Sequence, residues 1–441
     1  MPMITAGRRV QGAFPESRDC TYGCRHKLAI VAVLSALPLW VCHGCGQEPV
    51  SGGSPGTTIV QAGGGNAART QVYSSLPPTQ APRLSWVFQG KYDSARGLGS
   101  GGISSSPVGG EDRLFFCSRW GECYSVDPRT GKQRWSSSFR MIIPTWPACA
   151  NSTVFIGGFG GGGPHLLALD EESGRKKWGF AEGMVGVASS PVVARGSIVF
   201  GTTTGVIYAL DVLTGAERWH FDIAEDIDPP ITKGDDRLQV YSPAVSDGMV
   251  CFGAGNGRLY ALDVVTGKEM WKVRTLGQAF VPTVVEGKVY YCATQGTKDV
   301  LCVLDSKDGS SRWKRQIASH GTDSVAVAKG LVYVFGDLPS GIDKSDGKDA
   351  ANCVLYVLDA NTGAEEWQLA LADDPSTGAS LAGSTLLFGT HDGQVCAVDI
   401  EKRRVRWRFD TGKKEAVTCA PAIIAGVVLF PCSDAKVYAI H

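Results

Sequence analysis

Sustained apolar heptads are missing from this 441-residue chain, so neither a helical bundle nor a coiled coil is predicted. No long membrane-spanning run is evident either. The apolar run at 28–41 has fourteen residues, where a transmembrane helix needs about 20. An excess of one charge is also absent. Lys and Arg together number 43, as do Asp and Glu, and they are scattered, which argues against nucleic acid as a partner. No adjacent cysteine pair occurs, and the seven histidines lack zinc-ligand spacing with one another. Only Cys42 and Cys45 have the Cys-x-x-Cys spacing. The glycine run at 157–163 bridges two strands and does not open a helix, so it makes no phosphate cradle. What the chain does have is 56 Gly and 11 Trp, a composition that points to one large repetitive unit.

Residues 1–45 read as an export signal. Arg25-His26-Lys27 precedes the apolar run, which breaks at Cys42-His43-Gly44-Cys45. Gly44 fits the position before an acylated cysteine, so Cys45 is the expected lipid-attachment residue; plain cleavage or an uncleaved anchor is the alternative. Residues 46–83 are rich in Gly, Ser, Pro, Thr and Gln and are expected to form a flexible linker. Together these features place the protein outside the cytoplasm, in the periplasm or cell envelope, anchored as a lipoprotein.

From Leu84 onward one phrase recurs. Its clearest copies are Gly205-Val-Ile-Tyr-Ala-Leu-Asp211-Val-Leu-Thr-Gly-Ala-Glu-Arg-Trp219 and Gly257-Arg-Leu-Tyr-Ala-Leu-Asp263-Val-Val-Thr-Gly-Lys-Glu-Met-Trp271. The equivalent aspartates are Asp127, Asp170, Asp211, Asp263, Asp305, Asp359 and Asp399, spaced by 43, 41, 52, 42, 54 and 40 residues. A period near 42 with two insertions is that of a propeller or solenoid. Each period divides into four short strands separated by Gly turns, which favours propeller blades. The tryptophans of the fourth strand are Trp135, Trp178, Trp219, Trp271, Trp313, Trp367 and Trp407, seven in all. An eighth repeat at the C-terminus lacks its tryptophan strand, and Leu84-Ser-Trp86-Val-Phe88 supplies it. The expectation is an all-β, eight-bladed propeller over 84–441, its ring closed by the N-terminal strand, which hides two sheet edges. Such a ring is complete as a monomer.

The phrase Ala-Leu-Asp-x-x-Thr-Gly-x-x-x-Trp resembles the tryptophan-docking motif of the pyrroloquinoline-quinone (PQQ) repeat propellers. Blade 1 departs from it with Ser125-Val126-Asp127, blade 7 lacks Thr-Gly, and blade 8 has His441 at the Asp position. The family includes quinoprotein alcohol dehydrogenases and BamB-like lipoproteins, which scaffold outer-membrane assembly. The dehydrogenases use adjacent cysteines, a calcium held by acidic and amide side chains, and an aspartate base; none of these maps onto a position here. The resemblance therefore implies a non-catalytic scaffold or recognition propeller, binding a protein or an extended polymer in the envelope. A PQQ-dependent oxidoreductase with calcium and a divergent site is the alternative. The repeated Asp and Trp residues are expected to hold the blades together.

Propeller geometry puts the first-to-second and third-to-fourth strand turns on one face, the turn face. Blade-to-blade links and second-to-third strand loops lie on the other, the link face. Both insertions, 223–241 and 336–352, belong to the link face, and long loops on a rigid scaffold commonly carry binding. Arg119, Trp120, Trp146, Phe159 and Gln295 are the candidate contact residues there. Asp343-Lys-Ser-Asp346-Gly-Lys-Asp349 lacks the full calcium-loop pattern and its terminal Glu, so no metal site is assigned. Ten cysteines fall in the blades. Cys117/Cys123 and Cys292/Cys302 flank second-to-third strand loops and can be either facing pairs or buried free thiols.

Overall fold

The structure, a computed structural model, describes residues 61–62, 66, 69, 72–91, 102–103, 105–109, 112–181, 186–187, 189–226, 238–277, 279, 281–295, 298–317, 325–336 and 353–441. The segment expected to be an export signal, with Cys45, most of the expected linker and the bulk of both insertions, including 343–349, lie outside these residues.

Eight antiparallel sheets form the ring. Blade 3 is representative: Val192–Ala194, Ser197–Gly201, Val206–Asp211 and Glu217–Asp222 pair in sequence order. Its second and third strands, Ser-Ile-Val-Phe-Gly and Val-Ile-Tyr-Ala-Leu-Asp, are apolar apart from Ser197 and Asp211 at their turn-face ends, because neighbouring blades cover both faces. The outer strand, Glu-Arg-Trp-His-Phe-Asp, alternates exposed and buried residues because only one face is covered. The core is thus a series of layers between blades. One layer joins Val199 and Trp219 of blade 3 to Phe252 and Tyr260 of blade 4, and another joins Phe116 and Tyr124 of blade 1 to Trp86 and Phe88.

Blade 8 is completed as the repeat count predicts. Ala422–Ile424, Val427–Cys432 and Lys436–Ile440 supply three strands, and Leu84–Gln89 pairs antiparallel with the last of them. Reciprocal bonds between the Arg83 and His441 main chains finish the seam.

Each outer-strand tryptophan docks on the next blade. Trp86, Trp135, Trp178, Trp219, Trp271 and Trp313 donate Nε1–H to the carbonyls of Pro128, Glu171, Val212, Val264, Ser306 and Ala360, in each case the residue after the repeat aspartate. The aspartate organises that turn. In blade 3, Asp211 Oδ1 accepts from Leu213 N, Thr214 N and Thr214 Oγ1 at 2.9–3.0 Å. Gly215 of the same turn sits at φ +73°, with the Trp178 ring so near that an added Cβ would lie 2.7 Å from it. Glycine is therefore required twice at this position, for backbone and for space.

The segment expected to be a free linker is in part built into the ring. Gln61–Ala62 adds a fifth strand to the inner edge of blade 2, antiparallel to Ala148–Ala150. Arg69 is 1% exposed; its Nε donates to Pro243 O at 2.6 Å and Nη2 to Ser190 O at 2.9 Å, while Thr283 Oγ1 donates to Arg69 O at 3.0 Å. Those three residues begin or precede the inner strands of blades 4, 3 and 5. Val72 then bridges Leu381 in parallel, and Tyr73 N donates to Leu381 O, in the inner strand of blade 7. A segment touching inner strands on opposite sides of the ring occupies its axis. Its polar, Gly-rich composition suits it to this place, where backbone groups hold it and no apolar stripe is needed.

Candidate functional site at the link face

Inner strands run from the link face to the turn face. Gln61–Ala62, antiparallel to one of them, therefore heads towards the link face. Arg69 lies at the link-side end, against Pro243 and Ser190. Val72 runs parallel to its partner strand, back towards the turn face, where Leu76 reaches the Gly383 turn. The N-terminal segment is thus a loop inserted from the turn face, with Arg69 at its far end.

Around Arg69 the links form a hydrogen-bonded rim. Trp146 N donates to Ser190 Oγ and Ser190 N to Ser242 Oγ, both at 2.9 Å, so these two residues, each preceding a proline, are tied to the next blade's hydroxyl. The extended backbone imposed before proline sets these N–H groups sideways. The Trp146 indole also meets the Cys419 thiol, in the link entering blade 8. Burial pushes that thiol up to about 12, which leaves it protonated and unreactive. Burial lowers the Arg69 guanidinium to about 10, so it stays charged at neutral pH.

Four of the five candidate contact residues are gathered on one sector of this face. Ile143 N donates to Arg119 O at 2.8 Å, and Ile142 exchanges two main-chain bonds with Phe159. The hairpin loops of blades 1 and 2 are thereby fastened to the link that ends in Trp146. Arg119 is exposed; Trp120, Trp146 and Phe159 are half-buried. Gln295 stands apart, ending the second strand of blade 5 opposite Lys298, and its side chain is outside the described residues.

A cleft that the sequence reading missed lies on the same face at blade 7. Its volume is about 600 Å³, and Asp373, Asp374, His391, Asp392, Arg408 and Lys414 line it. Asp373 grips Arg408 with two bonds, Nε at 2.8 Å and Nη2 at 2.9 Å, and this fork raises the guanidinium's pKa. The acidic pair Asp373-Asp374 and the dipeptide His391-Asp392 were its only trace in the sequence, in loops that meet only after folding.

The described residues do not fit PQQ with calcium. None of them form a group of three or more His, Cys, Asp or Glu able to hold a metal. The chain has no adjacent cysteines, and Arg69 occupies the axis between blades 3, 4 and 5.

Comparison with known proteins gives the same fold and selects a family. The chain is 25% identical over 350 residues to the outer membrane protein assembly factor BamB of Yersinia pestis, covering 74% of this chain and 81% of that one. The crystal structure of BamB from Moraxella catarrhalis superposes with a TM-score of 0.60 at 19% identity, over 82% of this chain and 98% of that one. The quinohemoprotein alcohol dehydrogenase of Comamonas testosteroni gives 0.65 at 15% identity, over 86% and 80%. At such identities the two structures speak for the fold alone. The family described as outer membrane protein assembly factor BamB matches residues 79–315, 232–352 and 322–441. With nearly every residue of the ring inside those matches, the chain belongs to that family.

Proposed function

We propose that this chain is a non-catalytic scaffold of the cell envelope that binds a protein or an extended polymer on its link face. The observation that carries this reading is the path of the N-terminal segment, which enters and leaves the ring at the turn face. A tether joined at the turn face would leave the link face, with its long connections, open to a partner. Family membership supports a partner in outer-membrane protein assembly. The half-buried Trp120 and Phe159, beside the exposed Arg119, supply aromatic and guanidinium groups of the kind that dominate protein interfaces.

The test is affinity capture of the intact protein from its native membranes, followed by mass spectrometry. Envelope-assembly proteins should be enriched by the parent chain and by Val265→Asp on the turn face. They should be lost with the Trp120→Ala/Phe159→Ala double variant. Loss with the turn-face variant alone would overturn the choice of face. No protein enriched at all would overturn the scaffold reading, and dye reduction after adding PQQ and calcium would replace it with an oxidoreductase.

A further inference from the structure

Among the described cysteines one pair faces across a hairpin. Cys117 and Cys123 are Cα partners in the second and third strands of blade 1, and are 1% and 2% exposed. Whether they can be joined depends on the kind of pair they form. Ser118 N donates to Glu122 O at 2.7 Å, which makes 118/122 the hydrogen-bonded pair. One step along, 117/123 is the non-hydrogen-bonded pair, whose Cα atoms approach to about 4.5 Å. A disulfide spans Cα separations of about 4.4–6.8 Å. Independently, the Cys117 N–H points away from its partner strand, to Ser105 Oγ at 2.7 Å, as this alternation demands. The two thiols are also in side-chain hydrogen-bond contact.

Other cysteines are placed differently. Cys292 is opposite Leu301 and Cys302 opposite Tyr291, so the second pair considered from sequence is out of register and its members point to opposite sides of the sheet. Cys251 lies opposite Ala244 and Ala261, and Cys396 opposite Phe388 and Arg408. Cys149 shares an apolar cluster with Cys117 and Cys123 but is opposite Val154 in its own blade.

We propose that Cys117 and Cys123 are oxidised to a disulfide that clamps the hairpin carrying Arg119 and Trp120. This rests on the envelope reading above, since such bonds persist in oxidising compartments. Forming the S–S bond removes two protons and two electrons from the thiols. The electrons go to the disulfide of a thiol–disulfide oxidoreductase, whose own S–S bond breaks to a dithiol. Both sulfurs are buried in the finished ring, so the exchange takes place before blades 1 and 2 close over them.

The experiment alkylates the protein purified from its own envelope without reduction, then digests it with trypsin. Cleavage after Arg113, Arg119 and Arg129 leaves Cys117 and Cys123 in separate peptides, 114–119 and 120–129. The expected result is that these travel as one linked species and separate on reduction. Alkyl groups on both, or Cys117 linked to Cys149, would overturn the proposal. Cell fractionation is run alongside. Should the protein partition with the cytoplasm, the envelope reading fails, and refolding the purified chain in a glutathione redox buffer judges the pair by itself. The linked species in that buffer upholds the geometry, and alkylation of both overturns it.

Discussion

The indole Nε1 of Trp407 donates to the carbonyl oxygen of Pro78 at 3.0 Å, across 329 residues of chain. Six other tryptophans find that acceptor in the turn of the following blade. Blade 8 reaches its aspartate position only at His441, so the N-terminal segment takes over the role. Trp407→Phe keeps the ring and removes the donor. It should cost about 0.5–1.5 kcal/mol in urea unfolding, and Pro78 should become more accessible to protease.

Arg69 should matter to the axis more than to any one blade. Arg69→Met keeps most of the bulk but leaves the Pro243 and Ser190 carbonyls without their charged donor. A loss of about 2–4 kcal/mol is expected. Limited proteolysis should release the N-terminal segment while the blades stay intact.

Blade 7 carries an arginine where blades 1–6 carry glycine. Arg403 sits at φ +52° in the turn that lacks Thr-Gly, with its guanidinium over the Trp367 ring at 5.6 Å. Arg403→Gly removes backbone strain of about 1–2 kcal/mol and a cation–π contact of about 0.5–1 kcal/mol. A small net gain in Tm is expected. Gly267→Ala, at φ +69° with an added Cβ 2.6 Å from Trp219, should instead cost more than about 2 kcal/mol.

The turn aspartates should give the ring an acid limb. Ser173 holds the Asp170 carboxyl at about 2, and the Arg218 guanidinium, with the Thr214 main chain, does the same for Asp211. A carboxyl with a folded pKa below its unfolded value of about 3.9 adds stability that is fully present above that value. It is lost as pH falls towards 2. Thermal unfolding followed from pH 5 to 2 should show this decline, and Asp211→Asn should flatten part of it.

The blade number and the closing strand were legible because tryptophan and aspartate recur at a fixed offset, and a missing copy shows as a gap. Also in plain view was the arginine before four of the tryptophans. Arg134, Arg218, Arg312 and Arg406 each bind the second carboxylate oxygen of their own blade's aspartate, and the sequence reading passed over them. The axial path of residues 61–83 was not legible. Arg69 is held by main-chain carbonyls, and a backbone acceptor leaves no mark on side-chain pattern. Register was the other gap: a change of one residue in hairpin turn length decides whether two cysteines face or diverge, as Cys117/Cys123 and Cys292/Cys302 do. Four of the link-face candidates could be gathered from loop position alone. The blade 7 cleft could not, since it depends on the Asp373–Arg408 fork between strand ends.

The seam between Leu84–Gln89 and Lys436–Ile440 also sets an order of events in synthesis. The first strand of the ring has no sheet to join until the last one has emerged, so seven blades can mature while one strand waits unpaired. Ring closure is then the longest-range and slowest step of folding. During that interval a chaperone, or the aggregation of exposed edges, competes for the same strand.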